Sequence, residues 1–341
     1  MKRKQSGFKI MMRLIKLVKP LAFFMVLAVI LGVTGFLCAI QITVAGSMTL
    51  LTAAGINGGL AIKTGCICII IFAVLRGFLH YGEQACNHYI AFKLLAIIRD
   101  KVFKSLRRLT PAKLEGKDKG NLISLITSDI ELLEVFYAHT ISPICIAFLT
   151  SLVMLIFIGR YSIWLMLIAL AAYITVGIII PLVSSKFNKN IGMTYRENSG
   201  SLSGYVLDSM RGLLESIRYN STDTRLNEMN EKTDELNSLQ KKLKKIEGHN
   251  ISITDISIIF FSITMLLVAI CLYQKGTIGF DGLIVSTVAM MSSFGPVAAL
   301  SNLAGNLTHT LASGERVLSI LDESPVVEEN ISGKEVELYG R

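Results

Sequence analysis

Long apolar stretches alternate with charged segments along this chain of 341 residues. A membrane-spanning helix needs about 20 consecutive and mostly apolar residues. Six stretches meet that length, which predicts an all-α polytopic membrane protein: Leu21–Gly46, Leu60–Leu79, Phe136–Ile158, Ile163–Val183, Ile253–Tyr273 and Leu283–Leu303. The first stretch is too long for the apolar region of a secretory signal, which has about 7–15 residues.

The helical pattern of the second span continues beyond its apolar part. Apolar residues recur at helical spacing from Leu94 to Leu106, with charged residues between them. The first breaker is Thr110-Pro111, where Thr suits an N-cap and Pro suits the start of a short new helix. The segment after the fourth span is organised in the same way. Both spans are therefore predicted to leave the membrane as long helices, each followed by a short crossing helix.

The distribution of lysine and arginine predicts that both termini are cytoplasmic. The first 20 residues contain seven basic residues and no acidic one. The segments after the second and fourth spans are long and heavily charged, whereas the loops after the first, third and fifth spans are nearly uncharged. Since basic residues concentrate on the cytoplasmic side, we expect a multi-pass protein of the plasma (inner) membrane.

Composition agrees with this class and excludes others. The chain is 52% hydrophobic and 17% charged, against about 25% charged residues in a soluble domain. The net charge of +9 comes from residues beside apolar segments, which argues against nucleic-acid binding. The cysteines lie in or near apolar stretches, which is typical of small buried side chains, and the Cys66-x-Cys68 pair has no second pair at metal-ligand spacing. We expect no metal site and no catalytic residue.

Four polar residues form a stripe on the second span. On a helical wheel, His80, Glu83 and Asn87 fall within about 40° of Arg76. Charge within a bilayer is costly unless it faces a cavity or a partner. One interpretation is that the stripe lines a translocation cavity, where Arg76 and His80 bind an anionic or zwitterionic substrate. The other is that Glu83 pairs with Arg76 and His80 and fixes two helices together; both can hold at once.

Three stretches in the right order resemble the transmembrane domain of six-helix exporters of the ATP-binding-cassette (ABC) family. They are "GNLISLITSDIELLEVFY" after the second span, "GYVLDSMRGLLESIRY" after the fourth and "SGERVLSILDESPVVEE" after the sixth. The resemblance implies a cytoplasmic arm over residues 1–20, a transmembrane domain over 21–318 and a linker over 319–341. It also implies two coupling helices, which we assign to Pro111, Leu114, Glu115, Leu213, Leu214 and Glu215.

The ATP-binding motif of this family is absent from the sequence. No G-x-x-x-x-G-K-[ST] occurs, so we expect this chain alone to hydrolyse nothing. The resemblance implies that ATP and Mg²⁺ act through a nucleotide-binding domain that is attached or separate. It also implies a second ABC half-transporter as partner, as a heterodimer, and movement of substrate by alternating access.

The second span also resembles the CydC-type subunit of the heterodimeric thiol-reductant exporter family. In "HYGEQACNHYIAFKLLAIIR", the positions that match that family's pattern are Tyr81, Glu83, His88, Phe92, Leu95 and Arg99. The resemblance implies export of thiols such as cysteine or glutathione. It also makes His88 a candidate haem ligand, while His80 and Gln84 stand where the family has arginines.

Two other functions fit the same observations. The same fold could export peptides, lipids or drugs, although the polar stripe favours small polar solutes. A stand-alone haem-binding or regulatory membrane protein is the alternative from another class.

Overall fold

The computed structural model describes residues 7–17, 19–56, 59–110 and 125–325, and the elements within these ranges are helical. The prediction of an all-α fold is confirmed. The α-helices are α1 (Gly7–Leu17), α2 (Ala22–Ala53), α3 (Ile62–Leu109), α4 (Ile130–Phe136), α5 (Ser142–Gly159), α6 (Ile163–Ile174), α7 (Ile180–Arg211), α8 (Leu213–Arg218), α9 (Thr222–Gln274) and α10 (Phe280–Leu321). A 3₁₀ turn covers Lys19–Leu21, and π-helical segments cover Leu125–Asp129, Tyr137–Ile141 and Thr175–Ile179.

Six helical stretches are long and apolar enough to cross a membrane. They overlap the six predicted spans and cover Lys19–Ala53, Ile62–Leu109, Ser142–Gly159, Ile163–Ser184, Thr222–Gln274 and Phe280–Leu300. The third begins at Ser142 and not at the predicted Phe136, because the π-helical segment Tyr137–Ile141 precedes it. In both the third and the fourth span, a proline follows two residues after a π-helical segment, as Pro143 and Pro181.

The second and fifth spans are parts of much longer helices. Helix α3 has 48 residues and α9 has 53. At about 1.5 Å per residue, each exceeds the hydrocarbon core of a bilayer, which is about 30 Å thick. The prediction that the second span continues beyond the membrane is therefore confirmed, and α3 ends at Leu109, just before Thr110-Pro111. The predicted short helix that begins at Pro111 lies outside the described residues.

The chain divides into two compact units, of which the larger comprises Phe24–Asn87 and His139–Thr308. Its core is built from apolar side chains of α2, α5, α6, α9 and α10, and fully buried members include Ile40, Met154, Leu165, Met265 and Met290. A buried polar contact also lies among these apolar side chains: the hydroxyls of Tyr173 and Ser293 are 2.5 Å apart. The larger unit is thus held together mainly by apolar contacts between its helices, with a hydrogen-bonded pair of hydroxyls among them.

The smaller unit comprises Met1–Phe23, His88–Ala138 and His309–Arg341. Within its described part, Ile10 and Leu14 of α1 are buried. A side chain in place of Gly314 on α10 would meet both, since its Cβ would lie 2.9 Å from Leu14 Cδ1 and 3.5 Å from Ile10 Cγ2. The Tyr137 hydroxyl donates to the Leu14 carbonyl at 2.8 Å. Burial raises the pKa of Tyr137, so this hydroxyl keeps its proton and remains a donor.

Candidate functional site

The polar stripe on α3 is divided between exposed and buried side chains. Arg76 and His80 are exposed, and the His80 side chain retains 63% of its accessible surface. Glu83 and Asn87 are buried. The two halves therefore differ: Arg76 and His80 are exposed on the surface of this chain, whereas Glu83 and Asn87 are packed against protein.

Three residues of the stripe, His80, Glu83 and Asn87, are connected by hydrogen bonds. Asn87 Nδ2 donates to Glu83 Oε1 at 3.3 Å, and His80 Nδ1 lies 3.2 Å from Glu83 Oε2. The other oxygen of the amide, Asn87 Oδ1, has no hydrogen-bond partner among the residues that the structure describes. The predicted pairing of Glu83 with His80 is thus observed, whereas Arg76 takes no part in these bonds.

Glycines allow this part of α3 to pack closely against α2. A Cβ at Gly32 would lie 3.3 Å from Glu83 Cδ and would overlap the side chain of Ile146 on α5. A Cβ at Gly35 would lie 3.6 Å from Leu79 Cβ, and one at Gly82 would lie 3.2 Å from Leu31 Cδ1. Small residues at helix contacts are typical of membrane bundles because they bring backbones together. Glu83 is consequently enclosed where α2, α3 and α5 meet.

His88 lies on an exposed part of α3. Its ring stacks against Phe92 with centroids 6.1 Å apart and an interplanar angle of 21°. Phe92 is also exposed. If a haem were bound here, His88 would hold its iron through the imidazole and Phe92 would pack beside it. The arginines that the thiol-exporter pattern has at positions 80 and 84 are replaced by His80 and Gln84, so the residues present fit a haem only in part.

The second predicted coupling region is a short helix that exposes apolar side chains. Helix α8 begins after Gly212, and Leu213 and Leu214 are 53% and 68% exposed. Ile217, one turn further on, is exposed too. Exposed apolar groups that lie together mark a contact surface. We therefore define the α8 surface as Leu213, Leu214 and Ile217, with Glu215 on the same helix.

The turn after α8 is sharp. Asn220 has a φ of 53°, a left-handed conformation that Asn adopts more easily than most residues. This turn leads directly into α9, which begins at Thr222. The first predicted coupling helix cannot be compared, because Pro111, Leu114 and Glu115 lie outside the described residues.

Two ion pairs near the end of α10, in the smaller unit, were not predicted. Asp129 is buried, and its carboxylate lies 3.1 Å from Arg316 Nε and accepts a hydrogen bond from Ser313 Oγ at 3.0 Å. Arg13 of α1 makes two hydrogen bonds to Asp322, at 2.6 and 2.5 Å. Both pairs involve the end of α10. The sequence signal was present, since Asp129, Arg316 and Asp322 lie within the stretches that resemble ABC exporters, but it assigns no partners.

Comparison with known proteins agrees with this architecture. The family model of the ABC transporter transmembrane region matches residues 21–297. The chain therefore belongs to the ABC transporter transmembrane region family, and the resemblance to a six-helix exporter domain is confirmed.

The curated relatives include proteins whose names give different substrates. The chain is 44% identical over 322 residues to a probable ABC transporter ATP-binding/permease protein of Haemophilus influenzae, covering 94% of this chain and 58% of that protein. It is 22% identical over 263 residues to the glutathione/L-cysteine transport system protein CydC of the same species, covering 76% and 45%. It is 23% identical over 315 residues to ATP-dependent lipid A-core flippase 1 of Colwellia psychrerythraea, covering 91% and 51%. The chain thus spans about half the length of the relatives it matches.

Proposed function

We propose that this chain is the membrane-spanning half of an ABC exporter subunit and forms a pathway for small polar solutes such as thiols or amino acids. The observation that carries the proposal is the exposure of Arg76 and His80 on a largely apolar span. A charged side chain that faced lipid would be costly, so it is better accommodated beside a polar pathway. Arg76 supplies a cation for a solute carboxylate, and Glu83 and Asn87 hold the His80 ring in place.

Energy comes from ATP and Mg²⁺ in a nucleotide-binding domain, attached or separate, and a second half-transporter completes a heterodimer. The α8 surface docks on the nucleotide-binding domain, together with the segment around Pro111, Leu114 and Glu115. We expect Leu213→Asp in the full-length transporter to abolish transport, because docking would bury an unpaired charge at a cost of several kcal/mol. Leu226→Asp, at another exposed leucine, is the control. Normal substrate-stimulated ATPase activity and transport in Leu213→Asp would contradict this role.

The same proposal places both termini and the long charged segments in the cytoplasm. We expect an impermeant thiol reagent added outside cells to label Ala54→Cys but not Lys242→Cys in a cysteine-free background. The opposite pattern would reverse the orientation.

Export of a lipid is the second candidate, since a lipid A-core flippase is among the relatives. The two candidates differ in which compound stimulates ATP hydrolysis by the full-length protein in nanodiscs. We expect stimulation by cysteine, glutathione or free amino acids. Stimulation by lipid A alone would favour the flippase function, and the proposal of a polar cargo would then be wrong.

A further inference from the structure

A group of buried oxygen atoms lies where α2, α3 and α5 meet. Glu83 is 6% exposed, Asn87 is 3% exposed and Ser142 is fully buried. Glu83 and Ile146 both approach Gly32, so they lie at the same level of the bundle. Asn87 and Ser142 are each one helical turn from that level. Because successive spans run in opposite directions, both lie one turn toward the same membrane surface.

Among the residues that the structure describes, the carboxylate in this group has no permanently charged positive partner. Its two hydrogen-bonding neighbours are the amide of Asn87 and the ring of His80. Helices α2 and α5 contain no Asp, Glu, Lys, Arg or His, and their titratable side chains are the thiols of Cys38 and Cys145. Arg76 is two turns away along α3 and is exposed. A buried carboxylate needs a compensating positive charge to be stable in a membrane.

Two neutral oxygens, one on α3 and one on α5, have unused capacity to accept a hydrogen bond or bind a cation. Asn87 Oδ1 and Ser142 Oγ are buried and have no hydrogen-bond partner among the described residues. A buried polar atom that is left unpaired destabilises the protein, because it has lost its hydrogen bonds to water. The amide that carries Asn87 Oδ1 already contacts Glu83, so this oxygen lies beside the carboxylate. A cation at this point would satisfy the carboxylate and the neutral oxygens together.

We propose that Glu83, Asn87 and Ser142 form a binding site for one alkali-metal cation. Carboxylate, amide and hydroxyl oxygens are the ligands that hard cations prefer. A single carboxylate balances one positive charge, which favours a monovalent ion over a divalent one. The bound ion connects α3 to α5 beside Gly32 of α2, and it stabilises this arrangement of the three helices. The site goes beyond the proposed function because it does not depend on which solute is exported.

The test is direct binding of radioactive sodium, and of radioactive rubidium as the potassium analogue, to the full-length protein in nanodiscs. N-methylglucamine chloride keeps the ionic strength constant. We expect saturable binding of one of these ions, and we expect Glu83→Gln to remove it. Ser142→Ala should weaken the affinity about tenfold, through loss of one ligand oxygen. Asp100→Asn removes an exposed carboxylate on the same helix, which pairs with Lys104 at 2.8 Å, and should bind as the wild type does.

Two results would overturn the site. The first is binding of neither ion by the wild type. The second is equal binding by the wild type, Glu83→Gln and Ser142→Ala, which would place the ion elsewhere. In the first case, uptake of protons measured in the same samples as a pH change that is absent from Glu83→Gln would show that a proton, and not a metal ion, neutralises Glu83. Because Ser142→Ala removes one atom from the side chain, it tests the site even if Glu83→Gln does not fold.

Discussion

Asp129 and Glu83 are both buried carboxylates, but the groups around them differ in charge. Asp129 in the smaller unit pairs with the guanidinium of Arg316 and accepts a hydrogen bond from Ser313. The carboxylate of Glu83 in the larger unit has, among the described residues, an amide and an imidazole as its hydrogen-bonding partners. An arginine carries its charge at every physiological pH, whereas an amide carries none and an imidazole carries a charge only when both ring nitrogens are protonated.

This difference in charge suggests that Asp129 is a structural carboxylate and that Glu83 can bind a cationic ligand. Asp129 is compensated within the chain, so its loss should mainly lower stability. The negative charge of Glu83 is compensated only in part by its neighbours. A buried charge of that kind need not stabilise the fold. We interpret the Asp129 pair as a fixed connection between α10 and the start of α4, and the Glu83 group as a place for a ligand.

The largest stability effect is expected at Asp129. Asp129→Asn removes the charge that pairs with Arg316 and should lower the free energy of unfolding by about 2–3 kcal/mol. The matched control is Glu131→Gln, which breaks an exposed pair with Arg99 at 3.5 Å and should cost less than about 0.5 kcal/mol. Denaturant titration in detergent measures both. Equal losses in the two variants would contradict a structural role of Asp129.

Close helix packing beside Glu83 is expected to give the next effect. Gly32→Val introduces methyl groups against Ile146 and Glu83 and should cost about 1–2 kcal/mol. Gly77 has open space at its Cβ position, so Gly77→Val should change stability by less than about 0.5 kcal/mol. If Gly32→Val were as stable as Gly77→Val, the enclosure of Glu83 by α2 and α5 would be wrong.

A smaller stability effect is expected at Glu83 itself. Glu83→Gln keeps the shape and two hydrogen bonds but removes the buried charge. In buffer without alkali-metal ions, we expect the free energy of unfolding to change by less than about 1 kcal/mol in either direction. A loss as large as that of Asp129→Asn would remove the contrast between the two carboxylates.

The smallest effect is expected in the absorption spectrum when hemin is added. Since His80 and Gln84 replace two arginines, titration of the purified protein with hemin should give a weak absorption band or none. Any band should disappear in His88→Ala, because axial ligation is the main directional contact. A band that is identical in the two proteins would rule out His88 as the ligand.

The sequence predicted the helices well because long apolar runs leave few alternatives. The six spans, the extension of α3 and its end before Pro111 all follow from hydropathy and breakers. The boundary of the third span was less accurate, because the π-helical segment Tyr137–Ile141 has no signal in apolar periodicity. The prolines that follow two of the π-helical segments, Pro143 and Pro181, were the local clue.

The site was predicted only in part because a helical wheel gives direction and not neighbours. It placed Arg76, His80, Glu83 and Asn87 on one stripe, and it could not distinguish the exposed half from the buried half. That division depends on Gly32 and Ile146, which lie on other helices. The pairs Asp129–Arg316 and Arg13–Asp322 join residues more than 180 positions apart, and no local pattern predicts such contacts.

The most direct test of the proposed function is ATP-dependent solute uptake by the full-length protein in inside-out vesicles. We expect accumulation of labelled cysteine, glutathione or an amino acid that requires hydrolysable ATP. Arg76→Ala should lower the initial rate about tenfold, which corresponds to about 1.4 kcal/mol, whereas Lys101→Ala, at an exposed position further along α3, should leave it unchanged. Uptake of none of these solutes, or an unchanged rate in Arg76→Ala, would contradict a polar pathway along this face of α3.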